Sequence, residues 1–143
     1  QTFQVAAPFT VVVGNTGIAS PTKIAVGDVR RAWETDRDKY ETVFDQIGSI
    51  AQDARSAIEN GSIDRLGPLM DRNQELLRQI DVSNPELEKL ITAAKAAGAL
   101  GAKLVGGGRG GNMIALVDES NRDQVVTALK NAGAVNTIVT EIK

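Results

Sequence analysis

Apolar residues recur with a helical period through the middle of the chain and with a strand period toward its ends. Val43, Ile47, Ile50, Ala54 and Ile58 fall at spacings of four, three, four and four, the stripe of one helix face. Asn60-Gly61 closes that helix with residues that tolerate positive φ. Ile63, Leu66, Met70, Leu77 and Ile80 form a second stripe. Asn84-Pro85-Glu86 opens a third helix, with Leu87, Leu90, Ile91 and Ala94 on one side and Gly98 at its end. Ahead of these, the β-branched run at 9–13, between Pro8 and Gly14, predicts a buried strand. Gly14-Asn15-Thr16-Gly17 supplies the turn out of it. Ser20-Pro21 then starts a helix reaching about Trp33, with Ala25, Val29, Ala32 and Trp33 on one side.

Beyond Gly98 the period changes to two. Residues 102–105 and 112–117 read as strands joined by the glycine-rich segment 106–111. Asn121 is expected to cap a helix carrying Val125, Val126 and Leu129, which stops near Gly133. The last strand, 135–142, places Val135, Thr137 and Val139 on one side and Ile138, Thr140 and Ile142 on the other. The order strand, helices, strand, strand, helix, strand predicts an α+β, two-layer, ferredoxin-like sandwich. Its four-stranded, largely antiparallel sheet carries helices on one face, with extra helices inserted after the first strand.

Composition narrows the chemistry. The 143 residues hold 42% apolar and 24% charged side chains, the balance of a globular domain. No histidine or cysteine is present. This removes imidazole bases, Ser-His-Asp triads and ordinary zinc sites. The net charge of −2 and 3% aromatic content argue against a nucleic-acid partner. No apolar run is long enough for a membrane span, and a cytoplasmic setting is the expectation. Carboxylates, lysines, arginines, hydroxyls and backbone amides remain, and these suffice to handle phosphates.

Five of the six residues at 106–111 are glycine. A hairpin needs one or two, and each costs backbone entropy on ordering. The surplus fits backbone that approaches a ligand closely, with Gly106, Gly107, Gly108, Gly110 and Gly111 forming an anion nest and Arg109 adding a charged contact. A mobile surface loop kept soluble by one arginine fits as well. The segment is neither a Walker loop nor a dinucleotide fingerprint, because no Gly-Lys-Ser/Thr and no helix follow it.

Three stretches carry a resemblance to a known family. Residues 101–116, Gly-Ala-Lys-Leu-Val-Gly-Gly-Gly-Arg-Gly-Gly-Asn-Met-Ile-Ala-Leu, resemble the third motif of the GHMP small-molecule kinases in the form mevalonate kinases carry. Gly14-Asn15-Thr16-Gly17-Ile18, with Ser20, Thr22-Lys23 and Val29-Arg30, is similar to the strand-turn-helix that opens the family's C-terminal domain. Residues 69–77, from Leu69-Met70 through Asn73 to Leu76-Leu77, look like the L-M-x-x-N-x-x-L-L helix of mevalonate kinases. The likeness covers residues 8–143. Val105 departs from the usual Ser or Thr, and Arg109 stands where glycine is common.

The resemblance implies residues 9–143 as a GHMP kinase C-terminal domain, with 1–8 a remnant of a preceding domain or linker. It implies transfer of the γ-phosphoryl group of ATP, with Mg2+, to the 5-hydroxyl of mevalonate in isoprenoid precursor synthesis. Both cofactors would be held mainly by an N-terminal half, which carries the family's catalytic aspartate and lysine and its P-x-x-x-G-L-x-S-S loop. The chain is therefore expected to be a fragment, inactive alone, with no catalytic residue and no metal ligand of its own. Its partners would be mevalonate, its own N-terminal domain and, as is common among mevalonate kinases, a second copy. The glycines and Arg109 would lie against the ATP phosphates. Thr16 would face the acceptor, or else serve as a turn hydroxyl bonding local backbone. Lys23 is expected to be solvated, Asn73 to join a structural hydrogen-bond network, and Trp33 and Phe44 to be core. Alternative readings are another GHMP kinase (phosphomevalonate, mevalonate-3- or homoserine kinase) or a non-catalytic ferredoxin-like ligand-binding module.

Overall fold

The computed structural model describes residues 4–17, 22–80, 82–105 and 111–143, with side chains from residue 27 onward in the first helix. Four strands form its sheet: β1 (Phe9–Asn15), β2 (Gly101–Val105), β3 (Asn112–Val117) and β4 (Asn136–Ile142). Their spatial order is β2-β3-β1-β4, and every neighbouring pair is antiparallel. Five helices accompany them: α1 (Thr22–Thr35), α2 (Arg37–Asn60), α3 (Ile63–Gln79), α4 (Pro85–Ala96) and α5 (Arg122–Asn131). The α+β sandwich with helices inserted after the first strand is thus observed. The Ser20-Pro21 helix start lies outside the described residues.

Strand alternation divides the core in two. Val12, Ala102, Leu104, Met113, Ala115 and Val117 point to one face, where Leu87, Leu90, Ile91 and Ala94 of α4 and Val125 and Leu129 of α5 cover them. Val11 and Leu116 point to the other face and meet Leu66 and Met70 of α3. The α2–α3 pair therefore extends the one-face plan by wrapping past the β2 edge. The register Val13↔Ile138 and Val12↔Val139 places the two sides of β4 as the alternation predicts. β4 is nonetheless an outer strand, and its Ile138 and Val139 are 52% and 47% exposed.

The helix ends follow their local chemistry. Gly61 (φ 74°) and Gly98 (φ 106°) adopt the left-handed conformation that releases the chain from α2 and α4. The Asn84 side chain accepts the Leu87 N–H at 2.8 Å, capping α4. Asn121 does not cap α5 with its side chain. Its amide is turned inward instead, accepting from Asp118 N and donating to Gly98 O at 2.7 Å. The Asp118 carboxylate takes over at this corner, accepting the N–H groups of Ser120 and Asn121. Those bonds, that from the Ser120 hydroxyl above all, hold its pKa below the ordinary value. Phe44 is also not core. It is 38% exposed and meets Tyr40 edge-on. Trp33 packs on the core margin beneath the Arg37 guanidinium, 4.5 Å from its ring centre.

The packing of α3 on β2 depends on two glycines. A Cβ on Gly67 would stand 2.2 Å from Leu100 O, and one on Gly101 would stand 2.4 Å from Gly67 O. Helix and strand backbones therefore touch directly there, a distance that only hydrogen side chains permit.

Candidate functional site

One end of the sheet gathers the elements that the sequence singled out. In register across it stand Val105, Asn112, Asn15 and Asn136, one from each strand. Asn15 ends β1 and bends the chain: its Oδ1 accepts the Gly17 N–H at 2.6 Å, and Gly17 adopts a φ of 77°. Asn15 O accepts from Val135 N, which ties the entry to β4 to the same turn.

Thr16 makes the bond that joins this turn to the glycine segment. Its N–H donates to Gly111 O at 2.9 Å, and its hydroxyl donates to the same oxygen at 3.0 Å. The partners are 95 residues apart, so this is a tertiary bond and not a turn closing on itself. Gly111 has a φ of 73°, and a Cβ added there would meet nothing within 4 Å among the described residues. The glycine is needed for its backbone conformation. Of the expected phosphate-contacting residues, Gly111 is thus placed beside Thr16. Gly106, Gly107, Gly108, Arg109 and Gly110 lie outside the described residues, as does the Lys23 side chain. Thr16 also lines a cleft of about 210 Å3, together with Glu86, Lys89, Leu90, Ala132 and Gly133.

The strand that feeds the glycine segment is held from outside. β2 is a sheet edge, so alternate N–H groups point away from β3. Ala102 N donates to Asp71 Oδ1 at 3.1 Å, and Leu104 N donates to Gln74 Oε1 at 2.8 Å. Gln74, 1% exposed, spends its amide protons on Ser83 Oγ and Glu88 Oε2. Asp71 also pairs with Lys95 at 2.6 Å. Sequence reasoning assigned the structural network to Asn73, but Gln74 is the residue that makes it. The signal was the interruption in the α3 stripe, since Gln74 falls four after Met70 and three before Leu77.

Lys103 lies on the opposite face of β2 from Leu104 and was not singled out by sequence. Its Nζ donates to Leu104 O at 2.6 Å. Burial disfavours the ammonium and lowers its pKa from the usual 10.5. The folded state then releases this proton at lower pH than the unfolded chain. Between the lowered pKa and 10.5 the unfolded state binds more protons, so stability rises with pH across that window. Lys103→Met should be more stable than the parent chain at neutral pH, and urea unfolding should show the gap narrowing as pH approaches 10.5. A gap independent of pH would mean that burial does not perturb Lys103.

Among the described residues no cluster of three or more carboxylates is placed to hold a metal ion. Among them, too, no helix is long and apolar enough to cross a membrane.

Comparison with known proteins follows the same lines. The family description GHMP kinases C terminal matches residues 54–135. Mevalonate kinase of Pyrococcus furiosus is 38% identical over 137 residues, which cover 92% of this chain and 40% of that protein. Its counterpart from Pyrococcus abyssi is 40% identical over 128 residues, 86% of this chain and 38% of that protein. The chain thus spans about two fifths of the length of these relatives. The crystal structure of L. major mevalonate kinase in complex with R-mevalonate superposes with a TM-score of 0.91 at 37% identity, covering 99% of this chain and 44% of that one. The chain belongs to the GHMP kinases, and its fold is that of their C-terminal domain.

Proposed function

We propose that the chain is the C-terminal half of an ATP-dependent mevalonate kinase that phosphorylates the 5-hydroxyl of mevalonate. The observation that carries this reading is the pair of hydrogen bonds that Thr16 donates to Gly111 O. It joins the turn after β1 to Gly111, the last residue of the glycine segment, at one sheet end, which supports a reading in which the turn faces the acceptor and the segment faces the phosphates. Identity of 38–40% to archaeal mevalonate kinases supports the choice of acceptor. Phosphoryl transfer asks a protein chiefly to position groups and stabilise charge, which glycine backbone and an arginine can do.

On this reading the backbone amides of Gly106, Gly107, Gly108, Gly110 and Gly111 bind the phosphate oxygens of ATP, with Arg109 beside them. Thr16 holds the end of that segment while facing the acceptor. Mg2+, when bound, neutralises phosphate charge and is held by the N-terminal half, which also supplies the catalytic aspartate and lysine. Residues 1–143 alone would turn over nothing.

The test is turnover of the full-length protein on mevalonate, phosphomevalonate and homoserine. Mevalonate should be the preferred acceptor, and absence of ATP-dependent mevalonate phosphorylation would remove the assignment. Arg109→Ala in that protein should weaken ATP affinity by roughly tenfold, the size of one charge-assisted contact. Unchanged affinity and rate would instead make Arg109 a solvated loop residue.

A further inference from the structure

We infer that Asp71 and Gln74 are positioning residues for the nucleotide, acting through β2, an inference that rests on the kinase reading above. β2 runs directly into the glycine segment, so any slide or tilt of this strand moves the phosphate-binding backbone with it. On its inner side β2 is fixed by the ladder to β3. Its outer side is where an edge strand ordinarily has only water to hold it.

Here α3 supplies the missing ladder with side chains. Gly67 abuts Leu100 and Gly101, Asp71 receives Ala102 N, and Gln74 receives Leu104 N, so helix and strand run alongside each other in the same sense. Three residues of helix rise about 4.5 Å, whereas two residues of strand rise about 6.6 Å. A short carboxylate followed by a longer amide makes up that difference. The pairing is thus specific to the order Asp then Gln. Both acceptors are themselves held, Asp71 by Lys95 of α4 and Gln74 by Ser83 and Glu88, with Arg78 Nε on the other Glu88 oxygen at 2.6 Å. The strand leading to the phosphates is therefore registered against two helices.

The experiment takes full-length Gln74→Met, which keeps side-chain length but loses the acceptor for Leu104 N. It also compares Asp71→Leu with Asp71→Asn, which retains an acceptor for Ala102 N. At a temperature well below each variant's Tm, the KM and the calorimetric Kd for ATP should rise about tenfold in Gln74→Met and Asp71→Leu, with the acceptor KM within about twofold of the parent, because misplaced binding groups lose affinity only where they bind. Asp71→Asn should restore most of the loss. A purely structural role would lower Tm and the active fraction while leaving the ATP constants alone, and that outcome overturns the inference. Should Gln74→Met not fold, the Asp71 pair, at a partly exposed position, decides alone. If the parent binds ATP but does not phosphorylate mevalonate, the acceptor assignment fails while the ATP titrations still judge the positioning role. A parent that binds no ATP overturns both.

Discussion

Gly101→Ala is expected to destabilise the domain by about 3 kcal/mol, at the upper end of what overpacking a core costs. The new methyl would meet Gly67 O at 2.4 Å, Gly67 Cα at 2.6 Å and Gly67 C at 2.9 Å, all of them backbone. No rotamer change relieves such a contact, so α3 must lift off β2. Lifting it would stretch the bonds from Ala102 N to Asp71 and from Leu104 N to Gln74, which adds to the loss. In thermal unfolding this corresponds to a fall in Tm of roughly 10 °C for a chain of this size. Gly48→Ala is the matched control, since it lies in α2 with nothing within 4 Å of the added carbon. It should stabilise by up to about 1 kcal/mol through helix propensity alone. A Gly101→Ala chain as stable as its parent would show that helix and strand do not meet as described.

The second large effect is catalytic. Thr16→Val in the full-length enzyme removes the hydroxyl bond to Gly111 O but leaves the backbone bond to the same oxygen. The turn should persist while the end of the glycine segment loses one of its two ties. A fall in kcat/KM of about 100-fold is expected, the effect of displacing reacting groups by about 1 Å. Thr16→Ser should keep most of the activity, because its hydroxyl can make the same bond. Stability should change by only about 1 kcal/mol, the net worth of a half-buried hydrogen bond. Equal kcat/KM for Thr16→Val and the parent would reduce Thr16 to a turn residue.

Much of this architecture was legible because periodicity and caps are local signals. The α2 stripe ending at Gly61, the Asn84-Pro85 start of α4 and the boundaries of β3 each follow from a few adjacent residues. What escaped depends on partners distant in sequence. Asn121 has the right residue type and position for a helix cap, but Gly98 O, 23 residues away, claims its amide. Phe44 falls one residue beyond the buried Val43 and is left 38% exposed beside Tyr40. Gln74 and Asp71 gained their roles from the outer edge of β2, and strand order is not written in either segment.

The glycines show the same division. Gly101 belongs to the motif that marks the family, and its lack of a side chain serves helix packing. Gly111, later in the same motif, is glycine for its positive φ. Glycines of one motif thus meet two physical demands, backbone conformation and close approach. Only tertiary structure separates them.

The central claim is that the backbone at 106–111 binds nucleotide phosphates. A crystal structure of the full-length protein with a non-hydrolysable ATP analogue tests it most directly. Amide nitrogens of that segment should stand about 3 Å from phosphate oxygens, at ordinary hydrogen-bond length. A triphosphate bound elsewhere, with the segment turned to solvent, would contradict the account.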